Sequence, residues 1–105
     1  MIPTRTTAHA AAALPHAPGR SSAQVLNTPG LEARWYAPPN PDLQTPHDRD
    51  EIYVVVAGSG FLRRCEERVA FAAGDLLFVA AGEAHRFEDH TDDTRVWVVF
   101  GPGAS

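Results

Sequence analysis

The sequence predicts an all-β domain of the sandwich or barrel kind, and three observations carry that expectation. Short apolar or alternating runs recur from residue 22 to the C-terminus. Turn signals interrupt them roughly every 8 to 12 residues, with glycines at 58, 60, 74, 82 and 101, as in sheets folded back on themselves. No segment sustains the period of a long helix, and no internal repeat appears.

The elements follow in order. Residues 1–21 hold Pro3, Pro15, Pro18 and Gly19 around an alanine run, and read as an N-terminal arm with one short helix at 8–14. The barrel domain then occupies residues 22–105. Ala23–Asn27 is a first short strand, closed by the turn Thr28-Pro29-Gly30. Leu31–Ala37 alternates Leu31, Ala33 and Trp35 with Glu32, Arg34 and Tyr36, the pattern of a strand with two unlike faces. Pro38-Pro39-Asn40-Pro41-Asp42 must be loop, because proline cannot donate to a central ladder. Glu51–Ala57 is a buried strand running into glycines. Phe61–Cys65 and Arg68–Phe71 form a hairpin around Glu66-Glu67, with Phe61, Arg63 and Cys65 on one face. Asp75–Val79, His85–Glu88 and Thr94–Phe100 complete the set.

Composition removes several function classes. A chain of 105 residues is one domain, able to bury roughly two thirds of its unfolded surface. The net charge is −4 and the nine basic residues are scattered, so neither nucleic acid nor a membrane is an expected partner. All nine are arginines. Without lysine there is no Schiff base, no covalent pyridoxal phosphate and no phosphate-loop lysine. No apolar run approaches the roughly 20 residues of a membrane span, and the lone Cys65 cannot form an intrachain disulfide, so a cytoplasmic location is the expectation.

Two segments hold the chemistry. Thr45-Pro46-His47-Asp48-Arg49-Asp50-Glu51 places His47 and Glu51 four apart, on one face if the stretch is strand. Gly82-Glu83-Ala84-His85 ends a second unit that repeats the design of turn, apolar strand, glycine turn and histidine. Two neutral imidazoles and one carboxylate suit a divalent first-row metal and leave coordination positions open. Phase puts Tyr53 on the Glu51 face and Phe87 on the His85 face, so both are candidate pocket residues. Arg34 is the candidate for holding a carboxylate or phosphate, since a guanidinium pairs bidentately with either. Asp50 lies in the opposite phase and is expected to bond locally. Trp35 and Trp97 are expected in the core or a dimer contact, and His9, His16 and His90 fall outside both segments.

The spacing resembles the two signature motifs of the cupin family, over roughly residues 22–101. The first motif, HxH, three residues, E, six residues, G, is matched by His47, Glu51 and Gly58, with Thr45 at the first histidine's position. The second, G, five residues, PxG, two residues, H, three residues, N, is matched by Gly74, Gly82 and His85, with Ala80 for the proline and Asp89 for the asparagine. Residues 59–73 form the spacer.

The resemblance implies a cupin double-stranded β-helix, or jelly-roll barrel. It also implies one divalent transition metal (Fe, Ni, Zn or Mn) on His47, Glu51 and His85. Thr45 through a bound water, or Gln44 turned inward by Pro46, would be the fourth ligand. A small-molecule substrate and a homodimer are implied as well. The function expected is a metal-binding cupin acting on a small organic substrate, in one version as a dioxygenase; the alternatives are a metal-dependent isomerase or lyase, or a noncatalytic ligand-binding or sensing barrel, since the family includes all of these and fold does not choose among them.

Overall fold

The alternating runs are realised as eight antiparallel strands in a computed structural model that describes residues 22–102. They are β1 (Ser22–Thr28), β2 (Leu31–Tyr36), β3 (Glu51–Ala57), β4 (Ser59–Arg64), β5 (Glu67–Ala72), β6 (Leu76–Val79), β7 (His85–Glu88) and β8 (Arg95–Phe100). One sheet runs β1-β2-β8-β3-β6 and the other β5-β4-β7. The two sheets make a cupin-type jelly roll. Among the described residues there is no helix, hence none long and apolar enough to cross a membrane. The N-terminal arm and its short helix at 8–14 lie outside the described residues, as do His9, His16 and residues 103–105.

Alternation decides which side chains meet between the sheets. Glu51, Tyr53 and Val55 of β3 are buried, whereas Ile52, Val54 and Val56 are only half-buried on the outer face. Val96, Val98 and Phe100 of β8 point the same way, and Leu62, Phe71, Leu77, Val79 and Phe87 close the core. Phe87 sits at its centre, edge-on to Tyr53 at 4.9 Å and to Phe71 at 5.5 Å. Trp35 packs on the outer face of the large sheet, 4.7 Å from Trp97 and beside Val25, Ala33 and Val56.

Strand register also places the inward polar residues. Glu32, Phe100 and Glu51 form one row across β2, β8 and β3, and Arg34, Val98 and Tyr53 form the next. The chain passes from the large sheet to the small one at Gly58, with φ of +88°. A Cβ there would lie 2.4 Å from Thr94 Oγ1 and 2.6 Å from Thr94 Cα, so both conformation and space demand glycine.

The β4–β5 hairpin corrects the sequence expectation by one residue. Arg64 pairs with Glu67, so the turn is Cys65-Glu66, and Cys65 is exposed at φ of +53° rather than on a strand face with Phe61 and Arg63. Leu62 must face inward opposite Phe87 to fill the core, and that phase sets the register. The outer face of this sheet is ionic: Arg63, Arg86 and Arg68 converge on Glu88, whose pKa falls to about 2, chiefly through the Arg63 hydrogen bonds.

Candidate metal centre

Glu51 opens β3 and His85 opens β7, so the pleat turns both side chains into the core. His47 does not continue β3 as a strand residue. It lies in the preceding loop, where Asp48 and Arg49 form a bend, because Pro46 and the commitments of Asp50 interrupt the ladder. Asp50 does not bond locally as its phase suggested but ties two distant segments together: Ala81 N donates to its Oδ1 at 2.9 Å, and Gly101 N to its carbonyl at 3.0 Å.

The fold nevertheless gathers all three residues. One ligand atom from each of His47, Glu51 and His85 lies within 4.8 Å of the others. His85 Nε2 approaches Glu51 Oε1 to 2.8 Å, and His47 Nε2 stands 3.9 Å from the same oxygen. The side chains of His85 and Glu51 are 0% and 1% exposed, while His47 is 34% exposed and forms the accessible side of the group. His85 Nδ1 is 2.9 Å from the Glu83 carbonyl oxygen. A carbonyl can only accept, so in the neutral ring Nδ1 carries the hydrogen and Nε2 presents a lone pair to Glu51.

This arrangement is costly without a cation. Both Glu51 oxygens and His85 Nε2 are buried with no aligned hydrogen-bond partner, despite the 2.8 Å approach. Buried acceptors that face one another need a proton or a metal between them. Burial opposes protonation of His85, but the neighbouring Glu51 carboxylate and the Glu83 carbonyl outweigh it, so its pKa is raised. The donor set of two imidazoles and one carboxylate also fits a divalent transition ion, which would satisfy all three orphaned atoms at once.

A cavity of about 350 Å³ opens beside this group, lined by His47, Glu51, Gln44, Tyr53, Arg34 and Phe100 among others. Tyr53 donates its hydroxyl to Gln44 Oε1 at 3.3 Å. Its pKa is pushed well up, first by burial and then by Glu51, so the phenol keeps its proton. Gln44 lines the cavity, whereas Thr45 is exposed and is not part of the wall. Arg34 lines the cavity two strands from Tyr53. Phe87 is absent from that wall: it lies in the core, edge-on to Tyr53.

Two buried polar residues escaped the sequence reading. Asp42, 2% exposed, accepts from Tyr36 Oη at 2.6 Å, Gln44 Nε2 at 2.7 Å and Phe87 N at 2.8 Å. It fixes the orientation of Gln44 and ties the proline loop to β7. His90 is buried with Nε2 3.0 Å from the Pro38 carbonyl, bracing the other end of that loop. Neither belongs to a spaced motif; the cluster of prolines around Asp42 was the only signal. Asp89, at the motif's asparagine position, has φ of +49°. Asp and Asn both tolerate that conformation, so this substitution does not disturb the site.

Comparison with known proteins bears on the same residues. The family model for the cupin domain matches residues 36–101. An uncharacterized protein of Streptomyces coelicolor is 42% identical over 64 residues, 61% of this chain and 61% of its own length. This chain thus spans about three fifths of that relative. Among solved structures, KdgF from a Halomonas species superposes with a TM-score of 0.71 at 22% identity, over 86% of both chains. A cupin 2 conserved barrel domain protein from Salinispora arenicola gives 0.64 at 23% identity, over 76% of this chain and 73% of that one. A predicted oxalate decarboxylase from Thermotoga maritima gives 0.61 at 21% identity, over 77% and 78%. At these identities the structural likeness shows the fold.

Proposed function

The chain belongs to the cupin family, and from that premise we propose that it is a metal-dependent cupin acting on a small organic molecule in the cavity beside His47, Glu51 and His85. The observation that carries this reading is the convergence of His47, Glu51 and His85, one ligand atom from each within 4.8 Å of the others, around a buried Glu51 carboxylate. A bound Fe, Ni, Zn or Mn ion would supply Lewis acidity toward a substrate oxygen, or in the case of iron(II) a centre for oxygen chemistry.

The chain's own residues do the rest. Glu51 and His85 are held rigidly by their strands, and the Glu83 carbonyl keeps the His85 lone pair aimed inward. His47 closes the accessible side. Tyr53 keeps its proton and can donate to an oxygen in the cavity if Gln44 yields. Phe100 and Val98 exclude water from one wall.

The dioxygenase version is tested by loading the protein with iron(II) without air, then admitting oxygen with thiols, catechols and keto acids. Substrate-dependent oxygen uptake that disappears in Glu51→Ala supports it. No uptake, with isomerisation or elimination of a hydroxy or keto acid by the zinc or nickel form, supports the isomerase or lyase version. A noncatalytic binding barrel is favoured by one observation: Thr45, at the family's first histidine position, is exposed and leaves three protein donors. A homodimer and a cytoplasmic setting belong to the same reading. The dimer is supported by the apolar outer face of β3 and β6, where Leu76 and Phe78 are exposed.

A further inference from the structure

Resting on the metal-site reading above, we propose that the cavity binds a small monocarboxylate whose carboxylate lies on Arg34 and whose far end carries an oxygen donor toward Glu51 and His47. All three residues line one cavity of about 350 Å³. That is near the small end of ligand pockets, which run from roughly 300 to 1,000 Å³.

The register gives the span. Glu51 stands in one inward row with Phe100 and Glu32, and Arg34 in the next with Val98 and Tyr53. Arg34 is therefore two strands across and one inward position along from Glu51. With strands ~4.8 Å apart and a rise of ~3.3 Å per residue, the two Cα atoms lie ~12 Å apart. Side chains reaching in from both ends leave room for a chain of a few carbons, and Val98, Phe100 and Leu43 line the space with apolar groups.

Arg34 is wired as an anion receptor. Its Nη1 donates to Glu32 Oε2 at 3.0 Å and its Nε to Ser22 Oγ at 3.2 Å. Nη2 has no partner among the described residues. Ser22 Oγ accepts from Arg34, and its own hydrogen has no acceptor among the described residues. Glu32 is held in turn by Arg49 at 2.8 Å and Gln24 at 2.8 Å. Burial pushes the Glu32 pKa up, but these hydrogen bonds outweigh it and leave it below the ordinary carboxylate value. The guanidinium is thus fixed before any ligand arrives, which lowers the entropy cost of binding.

Charge selects a monoanion. Arg34 and Arg49 against Glu32 leave one positive charge, and Arg49 stacks on the cavity residue Phe100 at 4.3 Å. A dication against Glu51 leaves another, and the Asp42 carboxylate in the same wall removes one. One carboxylate neutralises the remainder, whereas a phosphate dianion would exceed it.

The test is calorimetric titration of the zinc-loaded protein with ω-hydroxy acids of three to six carbons, the amides of the same acids, and 4-hydroxybutyl phosphate. An acid should bind, with its amide roughly tenfold or more weaker, as expected for loss of a charge-assisted pair. Arg34→Gln should reproduce that loss with zinc content unchanged, and Arg34→Lys should restore part of it. Ser22→Ala, which spares the Glu32 pair, should weaken the acid several-fold; melting curves establish that each variant is folded. Equal binding of acid and amide, undiminished binding by folded Arg34→Gln, tighter binding of the phosphate, or no binding by any acid would overturn the proposal. Failure of the metal reading shows separately, as wild type that takes up no zinc. In that event the zinc-free protein is titrated with butanoate and butanamide, and only an Arg34-dependent preference for butanoate upholds the carboxylate assignment.

Discussion

Gly82 donates its backbone N–H to the carbonyl oxygen of His47 at 2.7 Å. The turn that launches the strand of His85 therefore also holds the loop that carries the other histidine. Two segments 35 residues apart, at Gly82 and His47, are set against each other by main chain, and the three candidate ligands inherit that placement. Gly82 has φ of +82° and open space where a Cβ would lie, so its requirement is conformational.

Gly82→Ala should accordingly cost ~1–2 kcal/mol through left-handed strain. Because the strain loosens the bond to His47, metal affinity should fall as well. Thermal melting and competition with a chelating dye check both. A destabilised variant with wild-type affinity would show that the bond does not position His47.

Gly58→Ala should be more severe, since strained φ is joined by contact with the Thr94 backbone. The expected loss is roughly 2–5 kcal/mol. Urea denaturation measures it, and a loss below about 1 kcal/mol would mean that the β3–β4 corner relaxes freely.

Asp42 accepts three hydrogen bonds while buried, so Asp42→Ala removes the acceptor shared by Tyr36, Gln44 and Phe87 N. The expected cost is ~3 kcal/mol or more, with Asp42→Asn less harmful because one oxygen remains. Equal stability of the two variants by urea melting would contradict the hub role.

The fourth-ligand question separates two neighbouring residues. Gln44 lines the cavity and Thr45 does not. Gln44→His should therefore tighten metal binding by roughly tenfold, and Thr45→His should leave it within about twofold. The reverse order in a dye competition would mean that the loop turns residue 45 inward.

The raised pKa of His85 sets opposite pH trends with and without metal. In metal-free protein its charged form is stabilised by folding, so this contribution is full below the unfolded value of about 6.5 and is lost as pH rises through the folded value. Metal needs the neutral ring, so the rise in melting temperature on adding zinc should grow from pH 6 to pH 8. A rise that stays flat or shrinks over that interval would argue against His85 as a ligand.

Much of this was legible in the sequence, and the exceptions share a cause. The period-2 burial of Glu51, Tyr53 and Val55 and the start of β7 at His85 follow from alternation alone, so those strands agree residue for residue. The grouping of His47, Glu51 and His85 is the one that the resemblance of their spacing to the cupin motifs implies. What alternation cannot express is backbone that leaves the pleat. His47 reaches the site from a loop, and Cys65 takes a left-handed turn because Leu62 must face Phe87. Asp42 and His90 are buried by tertiary contacts with distant strands, and a single polar residue among prolines carries no period that would reveal them. Phe87 shares the phase of His85, but it packs into the core against Tyr53 and Phe71 instead.

His47, Glu51 and His85 should together hold one divalent ion. Elemental analysis of the purified protein beside His47→Ala and His85→Ala, each checked for a folded barrel by circular dichroism, tests it most directly. About one divalent transition ion per chain is expected in wild type, with its loss in both folded variants. The same metal content in all three proteins, or none in wild type after incubation with excess Fe, Ni, Zn and Mn, would contradict it.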